Sequence, residues 1–152
     1  MAHILIVDDY EIVAELAANI LIEAGHACGW LTDGDKALQL LRWRRPDLLL
    51  LDQDMPGMTG RQVLREVRQS AKNYDLPVIM FTAIQGAEDE AAAMYGGAQA
   101  YVRKPFDRRF LLHTVKLVLH SREGRPAHRD LREVMEYNAG VRRDDGFVTR
   151  AV

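Results

Sequence analysis

Apolar positions along most of the chain alternate between two patterns, short unbroken runs and longer stretches with a helical repeat. The clearest run is Leu48 to Leu51, which is followed at once by Asp52 and soon by a proline-glycine turn. An unbroken apolar run is typical of a strand in a parallel sheet that is covered on both faces. Runs of this kind predict strands at residues 3–7, 27–31, 48–51, 78–82 and 98–102.

Between these runs apolar residues recur every three or four positions, which indicates amphipathic helices. In the first such stretch the apolar residues are Ile12, Leu16, Ile20 and Ala24, spaced by four, with Val13, Ala17 and Leu21 beside them. In the last stretch we expect Phe110, Leu111, Val115 and Val118 to face inward. Helices are predicted at residues 10–24, after Asp33-Gly34, after a Thr59–Gln62 capping box, from Glu88, and from Asp107 to His120.

Five strands that alternate with five helices predict an α/β fold, a doubly wound five-stranded parallel sheet with a short C-terminal extension. We expect right-handed crossovers and the flavodoxin-like strand order 2-1-3-4-5. The strands then bring five polar side chains to one edge of the sheet: Asp8, Asp9, Asp52, Thr82 and Lys104. Ligands of open α/β sheets bind at the carboxyl ends of the strands, so the candidate site lies there.

The composition narrows the classes of function. The chain has 152 residues, 48% of them hydrophobic and 28% charged, and its net charge of -2 gives no general attraction to nucleic acid or to an anionic membrane. The single cysteine, Cys28, excludes an intrachain disulfide. Asp8 and Asp9 interrupt the first apolar run, which is too short for a signal peptide or a membrane span. We therefore expect a cytoplasmic protein that binds neither nucleic acid nor membrane.

The acidic residues at the sheet edge indicate phosphoryl chemistry. Three carboxylates in one crevice repel each other unless a cation lies between them. Mg2+ suits such a site, because it binds through one or two carboxylates, keeps waters and shares phosphate oxygens. A carboxylate can attack phosphorus to form an acyl phosphate, and we predict this role for Asp52. The metal would neutralise charge, Lys104 would hold a phosphate oxygen, and Thr82 would donate to the product phosphate.

Together these motifs resemble the receiver domains of bacterial two-component response regulators, the CheY-like proteins. The matching residues occur in the family's order, from strand 1 to the last helix. They are Asp8-Asp9, Asp52 with Met55-Pro56-Gly57 and Gly60, Thr82-Ala83, Gly97-Ala98 with Tyr101, and Lys104-Pro105-Phe106. Any one of these pieces alone is a weak signal, but five together at the ends of the predicted strands are specific.

The resemblance implies a role for each residue of the site. Asp52 would accept a phosphoryl group from a histidine of a sensor kinase or of a phosphotransfer protein. Asp9 and Asp52 would bind Mg2+ directly, together with the backbone carbonyl of Asp54, while Asp8 would act through water. Lys104 would pair with the phosphate. The chain would then be a signalling protein rather than an enzyme, with only self-phosphorylation and self-dephosphorylation chemistry.

The resemblance also implies how a signal leaves the site. Thr82 would move toward the phosphate, and Tyr101 would change rotamer in response. The face formed by the fourth helix, the fifth strand and the fifth helix would then exchange partners, among them a downstream protein that the sequence does not identify. Phosphorylation replaces one carboxylate charge with a group of about -1.5 to -2, and that change must bias a two-state loop and aromatic side chain.

Plainer interpretations of single residues stay open. Asp8 could cap the first helix, Thr82 could be a strand residue chosen for its β propensity, and Tyr101 could be a core residue with its hydroxyl at the surface. Asp54 lies two residues after the acceptor, where the family varies and tunes the lifetime of the phosphoryl group. We predict that Asp54→Asn changes the dephosphorylation rate; an inert, surface-facing Asp54 is the alternative.

Two other classes of function compete with the receiver. Asp52-Gln53-Asp54 superficially resembles the paired acids of haloacid-dehalogenase-type phosphatases, which hydrolyse phosphate esters through an aspartyl phosphate. Met55-Pro56 after the pair, its place on the third strand and the absence of a cap domain argue against that class. A phosphorylation-independent scaffold is the third interpretation, and the cost of burying unused carboxylates argues against it.

The C-terminal extension carries the weakest pattern. We divide the chain into a receiver domain at residues 1–122 and an extension at 123–152, too short for an independent output domain. A short helix is predicted at residues 127–138, with Leu131, Val134 and Met135 on one side, and the remainder is predicted to be disordered. The helix could pack on the receiver, form a homodimer with a second copy, dock on a partner or stay solvated. We expect a stand-alone receiver.

Overall fold

The structure is a computed structural model, and it describes residues 1–83 and 86–123. Residues Met1–Arg122 form one compact unit. The short helix and the disordered segment predicted after residue 123 lie outside the described residues. Within the described part of the chain, no helix is both long enough and apolar enough to cross a membrane.

Five parallel strands and five helices alternate along the chain, and the strands form one sheet in the order β2-β1-β3-β4-β5. This confirms the predicted flavodoxin-like fold. The elements are β1 His3–Val7, α1 Glu11–Glu23, β2 Ala27–Leu31, α2 Gly34–Leu41, β3 Leu48–Leu51, α3 Gly60–Gln69, β4 Val78–Thr82, α4 Ala87–Tyr95, β5 Ala100–Arg103 and α5 Arg108–Glu123.

The sheet separates two apolar layers because successive strand residues point to opposite faces. On β3, Leu48 and Leu50 pack with α1 and α5, whereas Leu49 and Leu51 pack with α2, α3 and α4. All four leucines are fully buried, as expected for a central strand covered on both sides. The unbroken apolar run is therefore explained by its position in the middle of the sheet.

Two expectations about helix faces are wrong in part. On α1 the side chains of Ile12 and Leu16 are 79% and 53% exposed, and the buried face is formed by Ala14, Ala17, Ala18, Ile20 and Leu21. A spacing of four residues exceeds one helical turn of 3.6, so such a stripe drifts by about 40° at each step. Small alanines face the sheet, and they let the helix approach it closely.

The second wrong expectation concerns Phe110 at the start of α5. Its side chain is 50% exposed, whereas Leu111, Val115 and Val118 are buried as predicted. The three buried residues follow the helical repeat, and Phe110 precedes Leu111 by one position, which rotates its side chain by about 100° off that face. Phe110 lies instead beside the surface groove described below.

At the amino edge of the sheet, where strands begin, a partly buried arginine ties three segments together. Arg68 on α3 donates five hydrogen bonds, four to the carbonyl oxygens of Gly97, Tyr74 and Leu76 and one to the Gln99 side chain, at 2.6 to 3.1 Å. Gly97 has a φ of 106°, and a Cβ there would meet the Arg68 side chain at 2.7 Å. The glycine therefore leaves space for the guanidinium.

Candidate functional site

The backbones of three candidate residues are each held by a hydrogen bond just beyond the end of a strand. The Asp8 N–H donates to the carbonyl oxygen of Leu31 at 3.1 Å, and the Asp52 N–H donates to that of Val7 at 2.9 Å. The Lys104 N–H donates to the carbonyl oxygen of Thr82 at 2.9 Å. Backbone hydrogen bonds that continue the pairing of parallel strands thus fix the backbone positions of these three residues, and all three lie at the carboxyl edge of the sheet.

Three carboxylates meet at this edge, as predicted. Asp8, Asp9 and Asp52 each offer an oxygen atom, and these three atoms lie within 4.8 Å of one another. Oxygen ligands on opposite sides of Mg2+ lie about 4.2 Å apart, since each Mg–O bond is about 2.1 Å. A donor set made only of carboxylate oxygens at this spacing fits a small hard cation. Asp8 and Asp52 are buried, while Asp9 is more exposed.

Lys104 enters the same crevice from the end of β5. Its ammonium contacts Oδ2 of Asp8 and lies 3.6 Å from Oδ1 of Asp52. It also lies 4.7 Å from the centre of the Phe81 ring, within the range of a cation–π interaction. The ring of Phe106 packs against that of Phe81 at 5.1 Å. The packed rings of Phe81 and Phe106 therefore support the Lys104 side chain in its position beside the two acids.

Asp8 does not cap α1, because the N-cap residue of that helix is Tyr10 and no side chain forms a cap hydrogen bond there. While its Oδ2 contacts Lys104, its Oδ1 accepts a hydrogen bond from the Tyr10 N–H at 2.9 Å, just before α1. The two oxygens of one carboxylate thus serve two purposes, turning the chain into the helix and binding the lysine. The turn before α1 and the geometry of the site depend on the same side chain.

The ionisation of Asp52 reflects its burial. The pKa of the Asp52 carboxyl is raised to about 6, chiefly by burial and in smaller part by the neighbouring Asp8 carboxylate. The Lys104 ammonium, the Thr82 hydroxyl and the Asp54 backbone N–H act in the opposite direction. Asp52 therefore holds its charge at some cost in free energy, and an additional cation in the crevice would relieve that cost.

The loop after β3 is shaped to hold Asp52. A Cβ at position 60 would collide with the carbonyl oxygen of Asp52, so Gly60 allows α3 to begin directly against the strand end. Gln53 Oε1 accepts from the Arg61 N–H at 2.7 Å, and Thr59 and Gln62 form the predicted capping box. Asp54 itself is exposed, as the inert alternative requires.

Tyr101 on β5 is half-buried and packs against the layer that contains α3 and α4. Burial raises the pKa of its hydroxyl, and the acidic side chains of α4 add to this effect. Tyr101 also lines an open groove of about 590 Å³ together with Glu90, Arg103, Pro105, Phe106, Asp107 and Phe110. Its position is compatible with both interpretations of the residue, the switch and the core.

Sequence reasoning missed two residues that shape the site. Phe81 lies inside an apolar run, where nothing distinguishes a ring beneath a lysine from ordinary core. Gln53 lies between two acids, and its contact with α3 depends on the loop conformation. Gly60 was included in the motif, and the structure supplies the steric reason for it.

The fold and the site define a class of protein, a doubly wound α/β domain with an acidic crevice and a lysine at the carboxyl edge. The family model for the response regulator receiver domain matches residues 4–116. The chain therefore belongs to the response regulator receiver family.

Solved structures agree with this assignment. A Chloroflexus aurantiacus protein described as a response regulator is 34% identical, with a TM-score of 0.75 over 78% of this chain and 98% of that one. Chemotaxis protein CheY4 of Vibrio cholerae is 30% identical, with a TM-score of 0.73 over 78% and 98%. The receiver domain of a Syntrophus aciditrophicus histidine kinase is 29% identical, with a TM-score of 0.75 over 84% and 96%.

Proposed function

We propose that this chain is a phosphoryl acceptor in a two-component phosphorelay, with Asp52 as the residue that carries the phosphoryl group. The donor is a phosphohistidine of a sensor kinase or of a phosphotransfer protein. An oxygen of Asp52 attacks phosphorus as the bond to the imidazole nitrogen breaks, and the electron pair of that bond stays on the imidazole. The observation that carries the proposal is the convergence of Asp8, Asp9, Asp52 and Lys104 on one crevice.

Mg2+ is the proposed cofactor. Asp9, Asp52 and the backbone carbonyl of Asp54 would hold it, with Asp8 acting through water. When bound, the ion supplies positive charge beside the transferred phosphoryl group. The protein's own part is to position the nucleophile. The hydrogen bond from the Asp52 N–H to Val7 and the packing of the first residue of α3 against the backbone of Asp52 fix the position of Asp52. The Lys104 ammonium lies close enough to Asp52 to pair with an oxygen of a phosphoryl group there.

The proposed output is a change of partner at the face formed by α4, β5 and α5. Thr82 is buried beside Asp52 and can donate to a phosphate there. Tyr101 and Phe110 border the groove on that face. The charge on residue 52 would change from -1 to about -2 on phosphorylation. Movement of Thr82 would then change the space available to Tyr101 and the shape of the groove.

Labelling with acetyl phosphate, read by intact mass, tests the proposal. With Mg2+ present we expect one phosphoryl group per chain, and none in Asp52→Asn or after chelation of the metal. Asp54→Asn is the matched control, which keeps the acceptor and changes only the rate of phosphoryl loss. Sustained hydrolysis of a small phosphate ester would favour the hydrolase instead, and unchanged mass in the wild-type protein would contradict the receiver proposal.

A further inference from the structure

A basic and aromatic surface at the amino edge of the sheet has no part in the site at the opposite edge. Directly after α2 the side chain of Trp43 is 82% exposed, and Arg42, Arg44 and Lys72 are exposed as well. Within residues 1–83 and 86–123, none of these three cations is paired with a carboxylate. We call Arg42, Trp43, Arg44 and Lys72 the Trp43 surface.

Hydrogen bonds hold the backbone of this surface in place. Lys72 Nζ donates to the carbonyl oxygen of Arg42 at 3.0 Å, and Arg45 Nη1 donates to that of Lys72 at 2.9 Å. The Trp43 N–H donates to the last turn of α2 at 3.0 Å. A tryptophan presented on a fixed backbone loses little conformational entropy on binding, and tryptophan and arginine are the residues most enriched at binding hot spots.

A groove of about 410 Å³ adjoins the Trp43 surface between the C-terminal ends of α2 and α3. Its apolar lining includes Leu38, Leu41 and Val67, and its charged lining consists of Arg42, Lys72 and Glu66. An apolar groove with two cations and one acid on its walls, beside an exposed tryptophan, favours a ligand that has both apolar side chains and negative charge.

We propose that the Trp43 surface and this groove bind an acidic, amphipathic peptide segment of a partner protein. Apolar side chains of the segment enter the groove and contact Trp43, and its carboxylates face Arg42, Arg44 and Lys72. The apolar lining favours a peptide over nucleic acid, because a phosphate backbone would leave the half-buried Leu38 and the exposed Ala71 uncovered. The cations confer the preference for acidic sequences.

This docking is independent of phosphorylation. The four residues of β3 lie between the amino edge of the sheet, which carries the Trp43 surface, and Asp52, a distance of about 13 Å at 3.3 Å per residue. A segment bound at the amino edge leaves the acidic crevice open to a kinase. The surface would therefore keep the receiver attached to a partner while the phosphoryl group arrives and leaves.

Selection from a phage-displayed library of random dodecapeptides against the unphosphorylated full chain tests the proposal. We expect enrichment of peptides that combine acidic and apolar residues. Fluorescence polarisation with an enriched peptide should show binding that weakens with salt, and that is at least about tenfold weaker for Trp43→Ala and for Arg42→Glu. Matched controls are Tyr95→Ala, whose side chain is 96% exposed, and the exposed Lys116→Glu on the other face of the sheet.

Several outcomes would overturn the proposal. The first is a selection that enriches no peptide, or only peptides without acidic residues. The second is peptide binding by Trp43→Ala and Arg42→Glu that equals binding by the wild type. The third is tighter binding of oligothymidylate or phosphatidylserine vesicles than of any selected peptide. Loss of peptide binding after treatment with acetyl phosphate and Mg2+ would contradict the claim that docking is independent of phosphorylation. Asp52→Asn separates the two proposals, because it should bind the peptide normally even though it accepts no phosphoryl group.

Discussion

The two edges of the sheet bury charge in opposite ways. At the amino edge the Arg68 guanidinium is surrounded by carbonyl oxygens that satisfy its donors. At the carboxyl edge Asp8 and Asp52 share one lysine, and the more exposed Asp9 lies near them. Charge that is fully hydrogen-bonded stabilises a fold, whereas carboxylates crowded together cost free energy. The hydrogen bonds of Arg68 therefore stabilise the fold, whereas the acidic crevice is ready to bind a ligand.

The contrast predicts that substitutions at the two edges have opposite signs. Proteins commonly give up stability where a site must keep groups ready for a ligand. Removing the charge of Arg68 at the amino edge should destabilise the protein, and removing that of Asp52 at the carboxyl edge should stabilise it while abolishing acceptance of the phosphoryl group. The following predictions test this from the largest effect to the smallest.

Arg68→Met should have the largest effect, a loss of about 3 kcal/mol in the free energy of unfolding, because it leaves several carbonyl oxygens without their donor. Urea denaturation measures the change. The matched control is Arg65→Met, an exposed position on the same helix, which should change stability by less than about 0.5 kcal/mol. Equal effects at the two positions would remove the distinction between the edges.

Asp52→Asn should stabilise the metal-free protein by about 2 to 3 kcal/mol at pH 7, because the buried carboxylate no longer has to be charged. The pKa of Asp52 lies at about 6 in the folded protein, against an ordinary value of 3.8. Its contribution to stability is therefore complete below pH 3.8 and is lost as the pH rises through about 6.

The advantage of Asp52→Asn over the wild type should accordingly shrink as the pH falls and vanish near pH 4. Denaturation in a chelating buffer across this range measures it. Asp54→Asn is the control, since that side chain is exposed. If Asp52→Asn were less stable than the wild type at pH 7, the carboxyl edge would not carry the cost that we assign to it.

Mg2+ should stabilise the wild-type protein by about 1.4 kcal/mol at a concentration about tenfold above its dissociation constant. Thermal denaturation with and without the ion measures this gain. Asp9→Asn should reduce it sharply, because that variant removes a proposed direct ligand. If Mg2+ stabilised Asp9→Asn as much as the wild type, the ion would bind at a site that does not include Asp9.

Thr59→Ala should have the smallest effect, a loss of about 1 kcal/mol from the α3 capping box. The cap lies at the carboxyl edge, yet its role is structural, so labelling by acetyl phosphate should keep its stoichiometry. Chemical denaturation and intact mass on the same preparation measure both quantities. A variant of normal stability that cannot be labelled would show that the cap belongs to the site.

Sequence reasoning predicted the strands, their order and the residues at their carboxyl ends, because continuous apolar runs and the polar residues that end them are local signals. It failed for part of the buried face of α1, because the four-residue spacing of Ile12 and Leu16 drifts off that face and alanines pack there instead. Arg68 and Phe81 were missed because their roles depend on segments distant in sequence. The roles assigned to Tyr101 and Asp54 stay predictions.

The most direct test of the central claim is to locate the phosphoryl group chemically. Reduction of the acetyl-phosphate-treated protein with borohydride converts an aspartyl phosphate to homoserine, which peptide mass spectrometry can assign to a position. We expect homoserine at residue 52, dependent on Mg2+, and none at Asp8, Asp9 or Asp54. Homoserine at another aspartate, or none in a protein that binds Mg2+, would contradict the assignment of Asp52 as the acceptor.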